Sequence, residues 1–245
     1  MKKIIYNIFA SIIPLALFSC GEKDIMIYES EPCISLEIPA KGNFLFKDSL
    51  VFSFPTRLDD RQKDTLWFNA TVMGTAVSYD REVAVKIISP VTTALENTHY
   101  KMDKIILPAN VFSVKVPVEI YRTEDIKTQA VRLEFEVIPN DNFNVGYADR
   151  SKIIMIWGDF FLKPDIWDSS NYVQCFGEYT STRYDFILRA TKLSELPDPT
   201  AFSTLSTLNL IVREALYRYN QEHNEPLSDE LGLVSFPVWG GASAG

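Results

Sequence analysis

The 245-residue chain contains 24 Lys and Arg and 32 Asp and Glu, which gives a formal net charge of −8. Nucleic-acid binding needs a stripe of basic side chains, so an acidic chain without a Lys/Arg cluster argues against a nucleic-acid partner. The same charge argues against adsorption to an anionic membrane surface. Aromatic residues are abundant, with 16 Phe, 11 Tyr and 4 Trp, which favours a β-rich fold.

The first residues have the organisation of a signal peptide. Lys2 and Lys3 form a basic start, and Ile4–Phe18 is an almost unbroken apolar run. About 20 apolar residues are needed to cross a bilayer. The shorter run therefore predicts a signal peptide over residues 1–19 and not a membrane-spanning anchor.

A cysteine directly follows the predicted cleavage point. Leu17-Phe18-Ser19-Cys20 resembles the lipobox of bacterial lipoproteins, which implies that the Cys20 thiol takes a diacylglycerol and becomes the new N-terminal residue. Buried acyl methylenes contribute about 0.8 kcal/mol each, so this lipid is the expected membrane anchor. Residues 20–29 then form a polar tether. The alternative is an ordinary secretory signal with an incidental cysteine.

Residues 30–140 contain short segments in which apolar and polar side chains alternate. Val131–Val137 and Val114–Ile120 have this period of two, which predicts strands with one solvated face. Pro117 predicts an edge position or a bulge, because proline has no N–H to donate. Further predicted strands are Ile34–Ile38, Leu50–Phe54, Leu66–Met73 and Glu82–Ile88. Together these short strands predict an antiparallel, immunoglobulin-like β-sandwich.

The turn Pro139-Asn140-Asp141-Asn142 marks the expected end of the sandwich, and residues 141–245 form a second, smaller α+β region. Strands are expected there over Ile153–Trp157 and Tyr184–Thr191. Over residues 204–223, apolar side chains recur every three or four positions, which predicts a C-terminal amphipathic helix. The predicted fold class is mainly β, with the sandwich followed by this smaller region.

The polar motifs predict neither a metal site nor a cofactor. His99 and His223 are the only histidines and fall in different predicted regions, and no H-x-x-x-H or C-x-x-C pair is present. Gly241–Gly245 matches G-x-S-x-G, but a nucleophile elbow needs a helix after the serine, so we reject it. Cys33 and Cys175 are interpreted as small buried hydrophobic residues, with a disulfide between them as the alternative.

An aromatic segment, residues 158–179, is the predicted ligand-binding region. Its rings offer flat apolar faces for sugar rings or peptide side chains, beside hydrogen-bonding groups. The candidate ligand-binding residues are Trp167, Tyr172, Tyr179, Asp168 and Asn171. The alternative is that the rings form a second core. We favour the core for Trp157 and Phe176, and both alternatives stay open for Trp167 and Tyr172.

A glycosidase needs two carboxylates that face each other across the scissile bond. The carboxylates available in the aromatic region are Asp159, Asp165, Asp168 and Glu178. No spacing marks two of them as a catalytic pair, and loop carboxylates are usually solvated. We therefore predict that the protein is not an enzyme, with a glycosidase-like surface hydrolase as the alternative.

One part of the predicted sandwich resembles the Calx-β pattern. The segments that carry this resemblance are Asn97-Thr98-His99-Tyr100, Ile105–Ala109 and Phe112–Tyr121. In that pattern a G-x-D-Y step precedes a strand that ends in a P-A-G turn, and alternating valines follow. Asn97 and Asn110 stand in place of the two glycines, and His99 stands in place of the acidic residue. The resemblance implies a Calx-β-like sandwich but no calcium site, because a hard cation prefers oxygen ligands.

Most of the chain resembles a family of Bacteroidota outer-membrane lipoproteins classed as a domain of unknown function. The segments that carry this resemblance are Asp64-Thr65-Leu66, Tyr79-Asp80-Arg81, Glu96–Tyr100, Val131-Arg132-Leu133, Lys163-Pro164, Trp167, Phe176–Tyr179 and the C-terminal helix. The resemblance implies an outer-membrane lipoprotein encoded beside a SusC/SusD-type nutrient importer, with no assigned catalytic residues. Glu22-Lys23-Asp24 is similar to the charged signals that send such lipoproteins to the outer face.

These observations predict a non-enzymatic lipoprotein, anchored in the outer membrane by its lipid and facing the cell exterior. We expect it to be an accessory or ligand-capture component of a SusC/SusD-type TonB-dependent importer of oligosaccharides or peptides. One alternative is a surface hydrolase that acts on the same polymer. The other is a purely structural stabiliser of the transporter complex.

Overall fold

The computed structural model describes residues 31–39 and 46–239. Most of its strands lie before residue 160, and its three α-helices lie after it. The strands are β1 (Cys33–Pro39), β2 (Phe46–Lys47), β3 (Ser49–Ser53), β4 (Lys63–Met73), β5 (Arg81–Val83), β6 (Val85–Ile87), β7 (Tyr100–Lys101), β8 (Ile105–Leu107), β9 (Ser113–Tyr121), β10 (Val131–Val137), β11 (Asn144–Val145), β12 (Lys152–Gly158), β13 (Ser228–Asp229) and β14 (Gly232–Leu233). The helices are α1 (Ser170–Phe176), α2 (Ser181–Thr191) and α3 (Phe202–Glu222).

Two main sheets form the sandwich, and β5 and β8 form a separate two-stranded ladder beside them. The larger has the order β11-β1-β4-β9-β7, with β2 paired to the end of β1, and the smaller has the order β3-β12-β10-β6. Their inner faces share one core, in which the Phe68 ring lies 5.2 Å from the Phe135 ring, centroid to centroid. Alternating residues of the longer strands enter this core, as in β9, where Val116, Val118 and Ile120 are buried. The mainly β fold and the sandwich are therefore confirmed, but the sandwich is not purely antiparallel, because β1 pairs with β11 and β3 pairs with β12 in parallel.

Pro117 occupies an edge of the larger sheet. It lies opposite Trp67 of β4, in a continuous antiparallel register. On the other side of β9, β7 pairs only with Glu119 and Ile120, so it ends before Pro117. The missing N–H of Pro117 is tolerated because no strand needs it there.

The sandwich extends further along the chain than we expected. β12 pairs with β10 from Val131↔Trp157 to Glu136↔Lys152 and lies in parallel beside β3. A strand that we assigned to the second region therefore sits in the centre of the smaller sheet. The Asn140 side chain accepts bonds from the backbone N–H groups of Asn142 and Phe143, so the expected boundary is a tight turn inside the sandwich.

The helices form a second core. One of them, α3, confirms the C-terminal helix that the apolar periodicity predicts. Residues 184–191 are helical, so the predicted strand over Tyr184–Thr191 is wrong. The Thr180 hydroxyl accepts a bond from the Arg183 N–H and begins α2 there. Tyr184, Ile187 and Leu188 are buried at the three- and four-residue spacing of a helix. Because the apolar residues of this segment are adjacent in the sequence, they also fitted a short buried strand.

Asn97 and Asn110, the two residues that stand in place of glycines in the Calx-β pattern, share one backbone conformation. Their φ angles are 62° and 59°, in the left-handed region that glycine enters most readily. Asparagine tolerates this region better than other side chains do. The glycine positions of the pattern are thus turn positions in this chain, now occupied by asparagine.

The two cysteines of the described residues are both free. Cys33 is partly exposed on β1, whereas Cys175 is buried in α1, so the disulfide that we kept as an alternative is not formed. Within residues 31–39 and 46–239, no helix combines the length and hydropathy needed to cross a bilayer. The predicted signal peptide, Cys20, the tether and Gly241–Gly245 lie outside the described residues.

Candidate functional site

A groove of about 490 Å³ lies where the sandwich meets the helical region, and we call it the junction groove. The sandwich contributes β3, β4, β9 and the base of the β1–β2 hairpin. The helical region contributes the loop 162–166, Tyr184 of α2 and residues 194–196. Side chains that define the groove are Lys47, Leu50, Phe52, Arg57, Thr65, Trp67, Asn69, Lys115, Leu162, Asp165, Ile166, Glu195 and Leu196. Ligand sites typically occupy about 300–1,000 Å³, so the groove has the size of one.

Strand β4 positions the polar wall of the groove. Leu66 and Phe68 point into the sandwich core, so Thr65, Trp67 and Asn69 point outward, as strand alternation requires. Strand β1 pairs with β4 only as far as Asn69. The preceding part of β4 is paired with β9 alone, which leaves its other flank beside the groove.

Trp67 and Lys115 form the centre of this wall. The Trp67 side chain is 40% exposed, an unusual position for a tryptophan in a strand whose alternate residues are fully buried. The Lys115 ammonium lies 4.5 Å from the centroid of the Trp67 ring, a cation–π contact. Lys115 stands opposite Asn69 across the β4–β9 pair, so a ring, a cation and an amide share one small surface.

Two other cations of the groove are bound to carboxylates. Lys47 lies 3.0 Å from Asp165, and Arg57 lies 2.6 Å from Asp64. Arg57 also covers the Phe52 ring at 5.0 Å. Within the described part of the chain, Lys115 has no carboxylate oxygen within 4 Å, so its charge is the uncompensated one.

Two of the rings predicted to bind ligand lie in the helical core. Trp167 is 1% exposed and Tyr172 is fully buried. The Trp167 Nε1–H donates to the Gly177 carbonyl at 3.1 Å, and the Tyr172 hydroxyl donates to the Pro197 carbonyl. The core alternative that we left open therefore describes both residues. Phe176 lies in the same core, as we favoured, whereas Trp157 is buried in the sandwich core instead.

The remaining predicted ligand-binding residues surround the same core. Tyr179 is partly buried, and its hydroxyl donates to a backbone carbonyl at 3.0 Å. Asp168 is exposed and bound to Lys163, and Asn171 donates to the Pro199 carbonyl at 2.9 Å. Their polar groups are thus used within the protein, and the structure does not bring the five predicted residues together on one open face.

The candidate catalytic carboxylates are dispersed. Glu178 is exposed, whereas the other three each bind a different cation. Asp159, Asp165 and Asp168 bind Arg122, Lys47 and Lys163, respectively. A glycosidase pair would instead place two carboxyl groups on either side of one cleft.

His99 has a structural role. Its ring is buried, Nδ1 accepts a bond from the Leu95 N–H at 2.9 Å, and Nε2 lies 2.8 Å from an Asp125 carboxylate oxygen. The accepting Nδ1 assigns the proton to Nε2, so the neutral ring donates to Asp125. No group of three or more His, Cys, Asp or Glu side chains in the described residues is arranged to hold a metal ion.

Sequence reasoning missed the junction groove because its residues come from distant segments. One signal was present: Trp67 occupies a solvent-facing position of an alternating strand, between the core residues Leu66 and Phe68. A large aromatic residue at such a position is a candidate for a binding surface, and the groove around Trp67 distinguishes it from a single exposed ring. Its neighbour Lys115 became identifiable only when the register of β4 and β9 was known.

Residues 28–193 match the profile of a family described as a domain of unknown function, DUF4843. No curated protein matches the chain. Among solved structures, a two-domain protein of unknown function from Bacteroides fragilis aligns with 8% identity and a TM-score of 0.38, over 52% of this chain and 45% of that one. A candidate carbohydrate-binding protein from Bacteroides ovatus aligns with 11% identity and a TM-score of 0.35, over 51% and 36%.

The CBD12 segment of CALX1.2 aligns with 12% identity and a TM-score of 0.29, over 41% of this chain and 40% of that one. The chain therefore spans less than half the length of each of these solved proteins.

Proposed function

The chain belongs to the DUF4843 family, whose profile matches more than half of it, and on that premise we propose a non-enzymatic role in ligand capture. The protein is a lipid-anchored cell-surface component that binds an oligosaccharide or peptide in the junction groove. It presents this ligand to a SusC/SusD-type TonB-dependent importer. The observation that carries the proposal is the groove itself, with a half-exposed tryptophan on a wall of polar side chains.

The chemistry of the groove supports binding. A tryptophan gives a large, rigid contact area, and the nearby amide and hydroxyl side chains provide hydrogen bonds that orient a ligand. Asn69 and Thr65 are partly buried beside Trp67, so they need little reorganisation to bind. The carboxylates proposed for a hydrolase are each bound to a separate cation, which favours capture over catalysis.

The proposed anchor is the lipid on Cys20, which the lipobox-like sequence Leu17–Cys20 supports. Two or three acyl chains bind a membrane essentially permanently. Replacement of Cys20 by serine should block lipidation and release the protein from the membrane fraction. Proteinase treatment of intact cells should degrade the wild-type protein, and resistance to the proteinase would instead indicate a periplasmic location.

The partnership is tested by extraction of native membranes in mild detergent and capture of a tagged, natively expressed copy. We expect a TonB-dependent transporter to be recovered with the wild-type protein and lost with Cys20→Ser. Recovery of the lipoprotein alone would contradict the proposal.

The binding role of the groove is tested with glycan and peptide arrays. Trp67→Ala should abolish the bound signal, whereas Tyr217→Ala, which removes an even more exposed ring from α3, should retain it. Release of reducing ends from a bound glycan would replace the capture role by the hydrolase alternative.

A further inference from the structure

The uncompensated charge of Lys115 indicates what kind of ligand the groove takes. Lys47 and Arg57 are neutralised by Asp165 and Asp64, but the described residues offer Lys115 only the face of Trp67. We propose that the junction groove selects oligosaccharides that carry carboxylates, with a uronic acid ring stacked on Trp67 and its carboxylate bound to Lys115. This inference rests on the proposed function and names its ligand class.

The distances on the wall match the size of a single sugar. The ammonium of Lys115 and the ring of Trp67 are 4.5 Å apart, and in a uronic acid the carboxylate is attached directly to the sugar ring. A sugar that stacks on the tryptophan therefore brings its carboxylate to the ammonium without spanning the groove. The lysine stem is flexible, so the ammonium can follow the carboxylate as the ring settles on Trp67.

The neighbouring groups suit the hydroxyls of the same sugar. Asn69, opposite Lys115 in the β4–β9 register, carries both a donor and an acceptor. On the opposite wall, Asp165, which is paired with Lys47, presents carboxylate acceptors. The carboxylate of the bound sugar therefore faces Lys115 on the sheet wall, while further hydroxyls of the sugar face the helical wall.

A neutral sugar would leave the Lys115 charge without a partner, and a purely apolar ligand would in addition bury Asn69 unsatisfied. A hydrogen bond to a charged group contributes more than one between neutral groups, so the carboxylate should dominate selection among ligands of equal shape. The contact is open to solvent, so it should weaken as salt concentration rises.

The test uses the full-length protein in detergent and isothermal titration calorimetry. The probes are trisaccharides of galacturonate, glucuronate and mannuronate, their methyl esters as neutral twins, and an acidic peptide of the same charge. We expect at least one uronate to bind about tenfold more tightly than its methyl ester, and this preference to shrink with added salt.

Variants separate the charge from the fold. Lys115→Gln should remove the preference for the uronate while the methyl ester still binds, and Lys115→Arg should retain the preference. Lys86→Gln removes an exposed lysine of the other sheet and should leave both affinities unchanged. If Lys115→Gln does not fold, Lys115→Arg against wild type still tests the charge, because loss of the preference there would overturn the proposal.

The outcomes are distinguishable from failure of the proposed function. Equal binding of uronates and their esters, abolished by Trp67→Ala, overturns the acidic preference and leaves ligand capture standing. Binding of the acidic peptide but of no uronate overturns the sugar assignment alone. Absence of binding by every probe overturns the inference. The proposed function is tested separately, by the array and the capture experiments.

Discussion

The β-sandwich and the helical region bury their cores by different means. In the sandwich, alternate apolar residues from two sheets meet face to face, and Phe68 against Phe135 is typical. In the helical region the core combines aromatic rings with leucine, isoleucine and valine side chains, and polar atoms of the rings bond to the backbone: the Trp167 Nε1–H donates to the Gly177 carbonyl. The first core follows from local periodicity alone, whereas the second adds buried polar contacts to its apolar packing.

A buried ion pair illustrates the second kind of core. Arg183 of α2 lies 2.8 Å from Asp229 of β13, with side-chain exposures of 9% and 0%. The Thr180 hydroxyl donates to the same carboxylate, and Arg183 also donates to the Ser235 carbonyl. Charge-assisted bonds thus hold the C-terminal hairpin against α2, in addition to the apolar contact in which Phe236 stacks on Phe186 of α2.

The largest expected effect is in the sandwich core. Phe135→Ala should lower the free energy of unfolding by about 3–5 kcal/mol, because it leaves a cavity that the facing Phe68 cannot fill. Urea denaturation measures this loss. Tyr79→Ala, at a 60% exposed position, is the control and should change stability by less than about 0.5 kcal/mol.

Amide exchange during the same experiment sharpens the comparison. The described residues between Glu31 and Trp239 form one compact unit, so α2 and α3 should lose protection together with the sandwich in Phe135→Ala. Retained protection in the helices would show that the two cores unfold independently.

A somewhat smaller effect is expected from the ion pair of the helical region. Asp229→Asn should cost about 3 kcal/mol, because it leaves Arg183 charged and buried without a countercharge. Asp185→Asn removes a comparable but exposed pair with Arg189 and should cost less than about 0.5 kcal/mol. Thermal denaturation of the two variants compares them directly, and equal losses would show that the Asp229 contact is no more than a surface pair.

The same carboxylate predicts how the helical region responds to acid. Burial alone would raise the pKa of Asp229, but the bonds from Arg183 and Thr180 outweigh it and hold the pKa below its ordinary value. The Asp229 carboxylate therefore contributes its full stabilisation at any pH above its ordinary pKa. This stabilisation is lost as the pH falls through the lowered pKa of the folded state. In Asp229→Asn this acid-dependent part of the stability should be absent.

The difference between the cores also explains how far the sequence was informative. The strands of the sandwich were predictable because residues such as Leu133 and Phe135 alternate with charged neighbours. The helix α3 was predictable because its apolar residues recur every three or four positions. The position of β12 was not, because its parallel pairing with β3 joins segments about a hundred residues apart. Local periodicity carries no information about such a pairing.

The candidate site was harder to predict than the fold. Trp167 and Tyr172 resembled a ligand platform because aromatic residues serve cores and binding surfaces equally well. Only their burial and their bonds to backbone carbonyls assign them to the core. Trp67 and Lys115 lie 48 residues apart and meet through strand register, which the sequence alone does not specify.

Alkaline pH should weaken the helical core progressively. Burial raises the pKa of the Cys175 thiol from 9.0 to about 12, despite an opposing hydrogen bond from Asn209, and burial also raises the pKa of Tyr179 to about 12. A raised pKa means that the folded state holds its proton where the unfolded state has released it. The contribution of the buried thiol to the free energy of unfolding is therefore fully present below pH 9. It falls between pH 9 and 12, by about 1.4 kcal/mol per pH unit for one fully buried group.

Urea denaturation at pH 8, 9, 10 and 11 measures this slope. Cys175→Ala should reduce the slope from pH 9 upward, whereas Cys33→Ala, which removes a partly exposed thiol from β1, is the matched control. An unchanged slope in Cys175→Ala would show that the thiol does not contribute.

The smallest effect tests a backbone feature of the sandwich. Asn97 has a φ angle of 62°, and its N–H donates to the Tyr100 carbonyl at 2.7 Å, which closes the turn before β7. Asn97→Ala should lower the free energy of unfolding by about 1 kcal/mol. Alanine has the steric cost of the left-handed conformation, but it lacks the polar side chain whose local hydrogen bonds offset that cost in asparagine. Asn97→Gly should stay within about 0.5 kcal/mol of wild type, because glycine adopts this conformation freely but loses more entropy on folding. Thermal denaturation of the two variants separates backbone strain from side-chain hydrogen bonding. If Asn97→Gly destabilised the protein as much as Asn97→Ala, the turn would require the asparagine side chain and not only a residue that tolerates the φ angle.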